Sequence, residues 1–233
     1  MSDHKNIKKL FEMLFKPHPW HGIPTGDSVP DLLNAYIEIV PTDTVKYEID
    51  KKSGHLKLDR PQKYSNLCPT LYGFIPQTYC GKNVGDYCAE QTGYQGIVGD
   101  GDPLDVCVLA ERPISHGDIL LKVIPIGGLR MIDGNQADDK IVAVLRDDAL
   151  YGQWREISAC PQSLIDRLRH YFLTYKEMPV TPRPRVEITH IYSRAGAIAV
   201  IEASIKDYKE EFGDPDRRLD ELCAMVTQTK AEV

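Results

Sequence analysis

With 233 residues, 42% hydrophobic and 27% charged, the chain has the make-up of an ordinary globular protein and enough length for one domain with a sizeable core. A formal net charge of −6 argues against a general nucleic-acid binder, which needs a basic surface to displace counterions from the phosphate backbone. No apolar run has the length of a membrane span or the form of a signal peptide, so the chain reads as cytoplasmic and its six cysteines, none in a Cys-x-x-Cys pair, as free thiols rather than a zinc site.

Residues 1–35 read as an N-terminal extension. Glu12 interrupts its one apolar run, and His18-Pro19-Trp20-His21 reads as a turn packed by Trp20. A strand is predicted from Tyr36 to Val40. In Val45-Lys46-Tyr47-Glu48-Ile49-Asp50 the apolar residues take the odd positions, which puts Lys46, Glu48 and Asp50 on one charged face. A turn over Asp50–Gly54 and resumed alternation at Leu56 and Leu58 make this a hairpin. Further strands are predicted over Ile119–Ile124, Ile141–Leu145 and Val186–Tyr192. A helix is predicted with Pro161 as its first residue; Leu164, Leu168, Tyr171, Phe172 and Tyr175 follow at helical spacing, with Pro179 as the stop. A second helix carries Ile198, Ile201, Ile205, Tyr208 and Phe212 and ends at Gly213. Residues 214–233, with Leu219, Leu222 and Val226 as a weak stripe, form either a short docked helix or a loose tail. The pattern is that of one α+β domain over residues 1–233, with a small β-barrel core and helices outside it.

The chemistry concentrates in Gly99-Asp100-Gly101-Asp102-Pro103-Leu104-Asp105-Val106. Three carboxylates within six residues repel one another unless cations or protons compensate. Gly101 and Pro103 forbid a helix, so Asp100 and Asp102 can point one way while Leu104 and Val106 anchor the segment in the core. Oxygen-only ligands suit hard cations such as magnesium or manganese. A surface Asp/Gly/Pro turn is the plain alternative. A calcium loop of the EF-hand kind fails because Asp105 stands where that loop needs glycine. A second acidic group, Asp133, Asp138 and Asp139, precedes Lys140 and an apolar strand. Lys46, Arg60 and Tyr175-Lys176 supply the cations and donors that phosphoryl transfer requires alongside such carboxylates.

These segments together, from Ile37-Glu38-Ile39 through Lys46-Tyr47-Glu48-Ile49-Asp50, Asp59-Arg60, Tyr72-Gly73 and Asp100–Val106 to Asp133–Lys140 and Tyr175-Lys176, resemble the family I soluble inorganic pyrophosphatases in kind and in order. The resemblance implies a five-stranded, OB-like closed barrel with helices packed outside. It also implies magnesium-dependent hydrolysis of pyrophosphate by direct attack of a metal-bound water, with manganese or zinc as substitutes, in a homo-oligomer that binds neither nucleic acid nor membrane. By the family pattern Asp100, Asp105 and Asp138 would hold the tightest metal, Asp105 would also reach a second, and Asp133 and Glu48, with Asp138, would help hold metals that arrive with substrate. Glu38 orders water behind them. On the same pattern Asp102 would be the general base, and Lys46, Arg60, Tyr72, Lys140, Tyr175 and Lys176 would grip the phosphates. Two departures stand out. Cys68, before Pro69, replaces a tyrosine common in the family and is either a small buried filler or an accessible thiol activated by nearby cations. The connection from Tyr72 to Asp100 is longer than in short bacterial members and has no assigned role.

Overall fold

The apolar runs of this chain are buried on both sides, which is why they lack clean alternation. Along Asp105–Leu109, Val106 and Val108 join one buried cluster while Cys107 and Leu109 join another, and Ile141/Ala143 and Val142/Val144 divide in the same way. The computed structural model describes residues 13–176 and 186–228. Strands β1 (Leu33–Ile39), β4 (Leu71–Phe74), β6 (Asp105–Leu109), β9 (Lys140–Leu145) and β7 (Ile119–Asp133) pair in that order, and β7 pairs back to β1, so five strands close a ring of hydrogen bonds. All the pairs in the ring are antiparallel except β6–β9. Hairpin β2 (Val45–Ile49) and β3 (Leu56–Pro61) forms a separate two-stranded sheet. Short strands β5 (Val98–Gly99) and β8 (Gln136–Ala137), together with β10 (Val186–Ser193), extend the far end of β7.

Strand β7 runs nine residues past the predicted end at Ile124. Pro125, Gly127 and Gly128 look like breakers in sequence, but the structure uses them to shift register and continue from β9 to β10. Gly128 has no alternative, because a Cβ there would lie 2.4 Å from the Tyr192 ring.

Helix α2 (Gln162–Thr174) covers one side of the ring with Ile165, Leu168, Tyr171 and Phe172. Pro161 is its N-cap rather than its first turn. Helix α3 (Arg194–Phe212) ends at Gly213 as predicted. Its fully buried face is Ala197, Val200, Ile201, Ser204 and Tyr208, so Ile198 and Ile205 lie at the flank. Helix α1 (Lys82–Thr92) was not predicted. It has glycine at its cap and at position 85, and its first turn is capped from far away: buried Asp207 of α3 accepts the N–H groups of Gly81, Asn83 and Val84 at 2.8–2.9 Å. Residues Pro215–Gln228 form helix α4; the side chains of Leu219 and Val226 lie outside the described set. The proposed stop at Pro179 also lies outside the described residues. No described helix is long and apolar enough to cross a membrane.

Candidate active site

Every residue predicted for the site lines one cavity of about 320 Å³. Strand β1 brings Glu38, and the hairpin brings Lys46, Glu48 and Arg60. A register shift after Lys46 leaves Asp59 as the extra residue, so Arg60 stands opposite Lys46. Asp59 then accepts from both, Lys46 Nζ at 3.1 Å and Arg60 at 2.5 Å, while Lys46 also bonds Glu48 at 2.8 Å. Asp50 does not share this face: it closes the hairpin turn by accepting the Ser53 N–H and hydroxyl.

The acidic loop is stapled from behind by the residues that follow Tyr72. Cys80 N–H donates to the Asp102 carbonyl, Gly101 N–H to the Cys80 carbonyl, and Leu104 N–H to the Thr78 hydroxyl, each at 2.8–3.0 Å. Gly101 takes a φ of 77°, the left-handed turn that lets Asp102 N–H donate to Asp100 Oδ1 at 2.9 Å. The long connection thus backs the loop that carries the carboxylates. Leu104 and Val106 are fully buried, as the anchoring argument required.

Asp105 opens β6 directly beside Lys140 at the start of β9. It accepts from the Tyr72 hydroxyl at 2.6 Å and from Lys140, whose ammonium also bonds Asp138 and stands over the Phe172 ring. Asp133 ends β7 and pairs with Lys176, and Tyr175 caps α2 beside it. Asp102 sits at the mouth, half exposed, against Lys51.

Burial holds the Glu38 carboxyl up to about 8, although it accepts the Ile49 N–H at 2.6 Å. Asp100 is likewise pushed up to about 8, by burial and then by the charges of Asp138 and Asp105. Burial works against the Lys140 ammonium, yet Asp105 and Asp138 keep its pKa well above the ordinary lysine value. Among the described residues no three acidic, histidine or cysteine side chains close on a single point as a finished metal cage, and Lys140 stands between two of the expected ligands. The donor set still fits a hard cation: it is oxygen only, and Asp100 cannot ionise comfortably beside two other carboxylates without added positive charge.

Sequence reasoning missed Lys51, Trp20 and Gln136 on the cavity wall. Lys51 sat in a predicted turn, and nothing local marked it. The activated-thiol reading of Cys68 is overturned. The side chain is 1% exposed, packed in the cluster of Cys107 and Tyr171, and burial pushes its thiol up to about 12. It fills space.

Seven carboxylates and five cations line this cavity, formally leaving it net negative before any phosphate enters. An acidic cavity with cations set among its carboxylates is suited to a small anion accompanied by compensating positive charge, the surroundings a phosphate-handling enzyme needs. The family model for inorganic pyrophosphatase matches residues 35–209. The inorganic pyrophosphatase of Chlamydia caviae is 52% identical over 200 residues, covering 84% of this chain and 92% of that one. Soluble inorganic pyrophosphatase 1 of Arabidopsis thaliana is 33% identical over 193 residues, covering 83% and 81%. The crystal structure of inorganic pyrophosphatase from Thermus thermophilus superposes with a TM-score of 0.68 at 29% identity, covering 82% of this chain and 99% of that one. The chain belongs to the family I soluble inorganic pyrophosphatases, and its reaction is hydrolysis of inorganic pyrophosphate.

Proposed function

We propose that hydrolysis runs by direct attack of water on pyrophosphate, with Asp102 as general base and no phosphoenzyme. The observation that carries the reading is the composition of the cavity: among the described residues no serine, threonine, cysteine or histidine lines it, while carboxylates and cations face each other across it. Asp100, Asp105 and Asp138, helped by Asp133, Glu48 and Glu38, would hold magnesium, which when bound neutralises phosphate charge and makes water a stronger nucleophile. Asp102 is suited to take the proton because it is half exposed and the lysine it meets, Lys51, is half exposed as well. Lys46 and Arg60 lie side by side on the hairpin and grip one end of the substrate, Arg60 through its planar fork. Lys140, Lys176, Tyr72 and Tyr175 take the other end and offset the charge that builds on the departing phosphate. The five-strand ring is read as the family's OB-like closed barrel, with the helices outside it.

Phosphate release from pyrophosphate should require magnesium, stop on chelation and resume on adding the ion back. Alanine at Lys46 or Arg60 should raise KM with the thermal transition intact, since both side chains face the cavity rather than the core. A collapsed transition in those variants would make them a structural ion-pair network instead.

A further inference from the structure

Arg130, on β7, is among the largest fully buried side chains of the protein, and neither it nor its partner Asp139 lines the cavity. Its guanidinium donates to Asp139 Oδ2 at 3.0 Å, with both side chains at most 1% exposed. Two tyrosine rings clamp the guanidinium, Tyr87 of α1 and Tyr192 of β10, each with its centroid 4.9 Å away. The Tyr192 ring sits where Gly128 leaves room for it.

An ion pair this deep is an expensive way to fill space. Taking both charges out of water offsets most of their attraction, and a well-packed apolar pair is often as stable or more so. What it supplies that leucine and methionine cannot is direction: a planar cation stacked between rings fixes where a carboxylate must point. Asp139 stands between Asp138 and Lys140. Those two neighbours line the cavity and Asp139 does not, as extended backbone requires when successive side chains take opposite sides. Asp138 N–H is bonded to the Met131 carbonyl, and Lys140 pairs with Leu129, so the residues flanking Arg130 on β7 hold the same segment by backbone.

We infer that Arg130 and Asp139 are positioning residues for the hydrolysis, gripping the 138–140 segment from behind so that Asp138 and Lys140 meet the cavity at a fixed rotation. Tyr87 makes helix α1 part of the device, which gives the long connection a second task besides backing the acidic loop. The inference rests on the roles given above to Asp138 and Lys140.

The deciding variant is R130M/D139L, which removes both charges, keeps the branched outline of Asp139 and replaces the Arg130 stem with an unbranched apolar chain. It should melt at or above the parental temperature. Calorimetric titration with magnesium alone should nevertheless show binding weakened about tenfold or more, and kcat should drop about ten- to a hundredfold, the range for residues that orient a ligand from behind. Parental magnesium affinity and kcat in the folded double variant would overturn the inference. Should that variant not fold, Arg130→Lys decides: it keeps the charge but loses the planar guanidinium held over the two tyrosine rings, so it should fold and still bind magnesium several-fold more weakly, and parental binding overturns the proposal. Asp138→Asn separates the two layers. If it binds magnesium as the parent does, the reading of the site falls; if it binds poorly while R130M/D139L binds normally, only the positioning role falls.

Discussion

Asp102 and Asp105 stand three residues apart and live in different surroundings. Asp105 is tied to the hydroxyl of half-buried Tyr72 and to buried Lys140, so its carboxylate is fixed in the cavity wall. Asp102 is held only through its backbone, by Cys80 from the connection and by the Asp100 carboxylate, and its side chain meets half-exposed Lys51. Removing the charge of each should therefore do different things. Asp102→Asn keeps the loop and loses the proton acceptor, so kcat should fall by about two to four orders of magnitude with magnesium affinity little changed. Asp105→Asn should weaken magnesium binding as well as kcat, and should leave Lys140 and Tyr72 with a poorer acceptor. Steady-state kinetics with calorimetric magnesium titration check the pair, and equal loss of magnesium affinity in both variants would remove the base assignment from Asp102.

At the scale of elements, what the sequence made legible was whatever carried its own local signal. The charged hairpin, the strand at 141–145, helix α2 and the Gly213 stop of α3 each announce themselves through alternation, helical spacing or a breaker. Helix α1 does not, because its stabilisation is remote: Asp207, more than a hundred residues away, supplies the acceptors its first turn needs. The second half of β7 was hidden for the opposite reason, since Pro125 and the Gly127-Gly128 pair are local break signals that the pairing with β9 and β10 overrides. That the named residues would share one cavity was legible because they fall in short ordered motifs; Lys51 and Trp20 were not, because only the fold carries them there. Trp20 belongs to a loop docked by aromatic packing. His21 stacks on Trp20 at 4.5 Å between centroids and shares a hydrogen bond with the Tyr208 hydroxyl at 2.9 Å. Burial, then the charges of His18 and Arg218, lower the His21 pKa to about 4. A histidine whose folded pKa lies below its ordinary value favours the fold while neutral. That contribution is whole above about pH 6.5 and is lost as pH falls toward 4. The parent should therefore lose more melting temperature between pH 7.5 and pH 4.5 than His21→Gln, which cannot titrate. Parallel losses in the two proteins would show that the loop is not controlled by this ring.

Taken as a whole, the molecule gathers its cavity from segments scattered along the chain: Glu38, the hairpin, Tyr72, the acidic loop, the end of β7 with its turn, and the end of α2. Any ion held there joins all of them at once, so binding should be felt by the global transition rather than by one loop. The lysines that now bridge the carboxylates, Lys140 between Asp105 and Asp138, Lys176 on Asp133 and Lys51 on Asp102, only partly balance the site. Asp100 and Glu38, both held up to about 8, mark where positive charge is still short. An ion that binds the folded chain and not the unfolded one adds about 2.7 kcal/mol at a hundredfold excess over Kd. In a chain of this size that is a rise of roughly 5–10 °C in Tm. Magnesium and calcium should both produce such a rise over the chelated protein, because either finds enough oxygen donors. They should part company in turnover. Calcium accepts six to eight oxygens in loose geometry and orients substrate and water poorly, whereas magnesium demands a near-octahedral set. Thermal melts and phosphate release measured on the same samples test this. No rise with magnesium would deny that these carboxylates form a cation site, and full turnover with calcium alone would deny that the geometry of that site governs the chemistry.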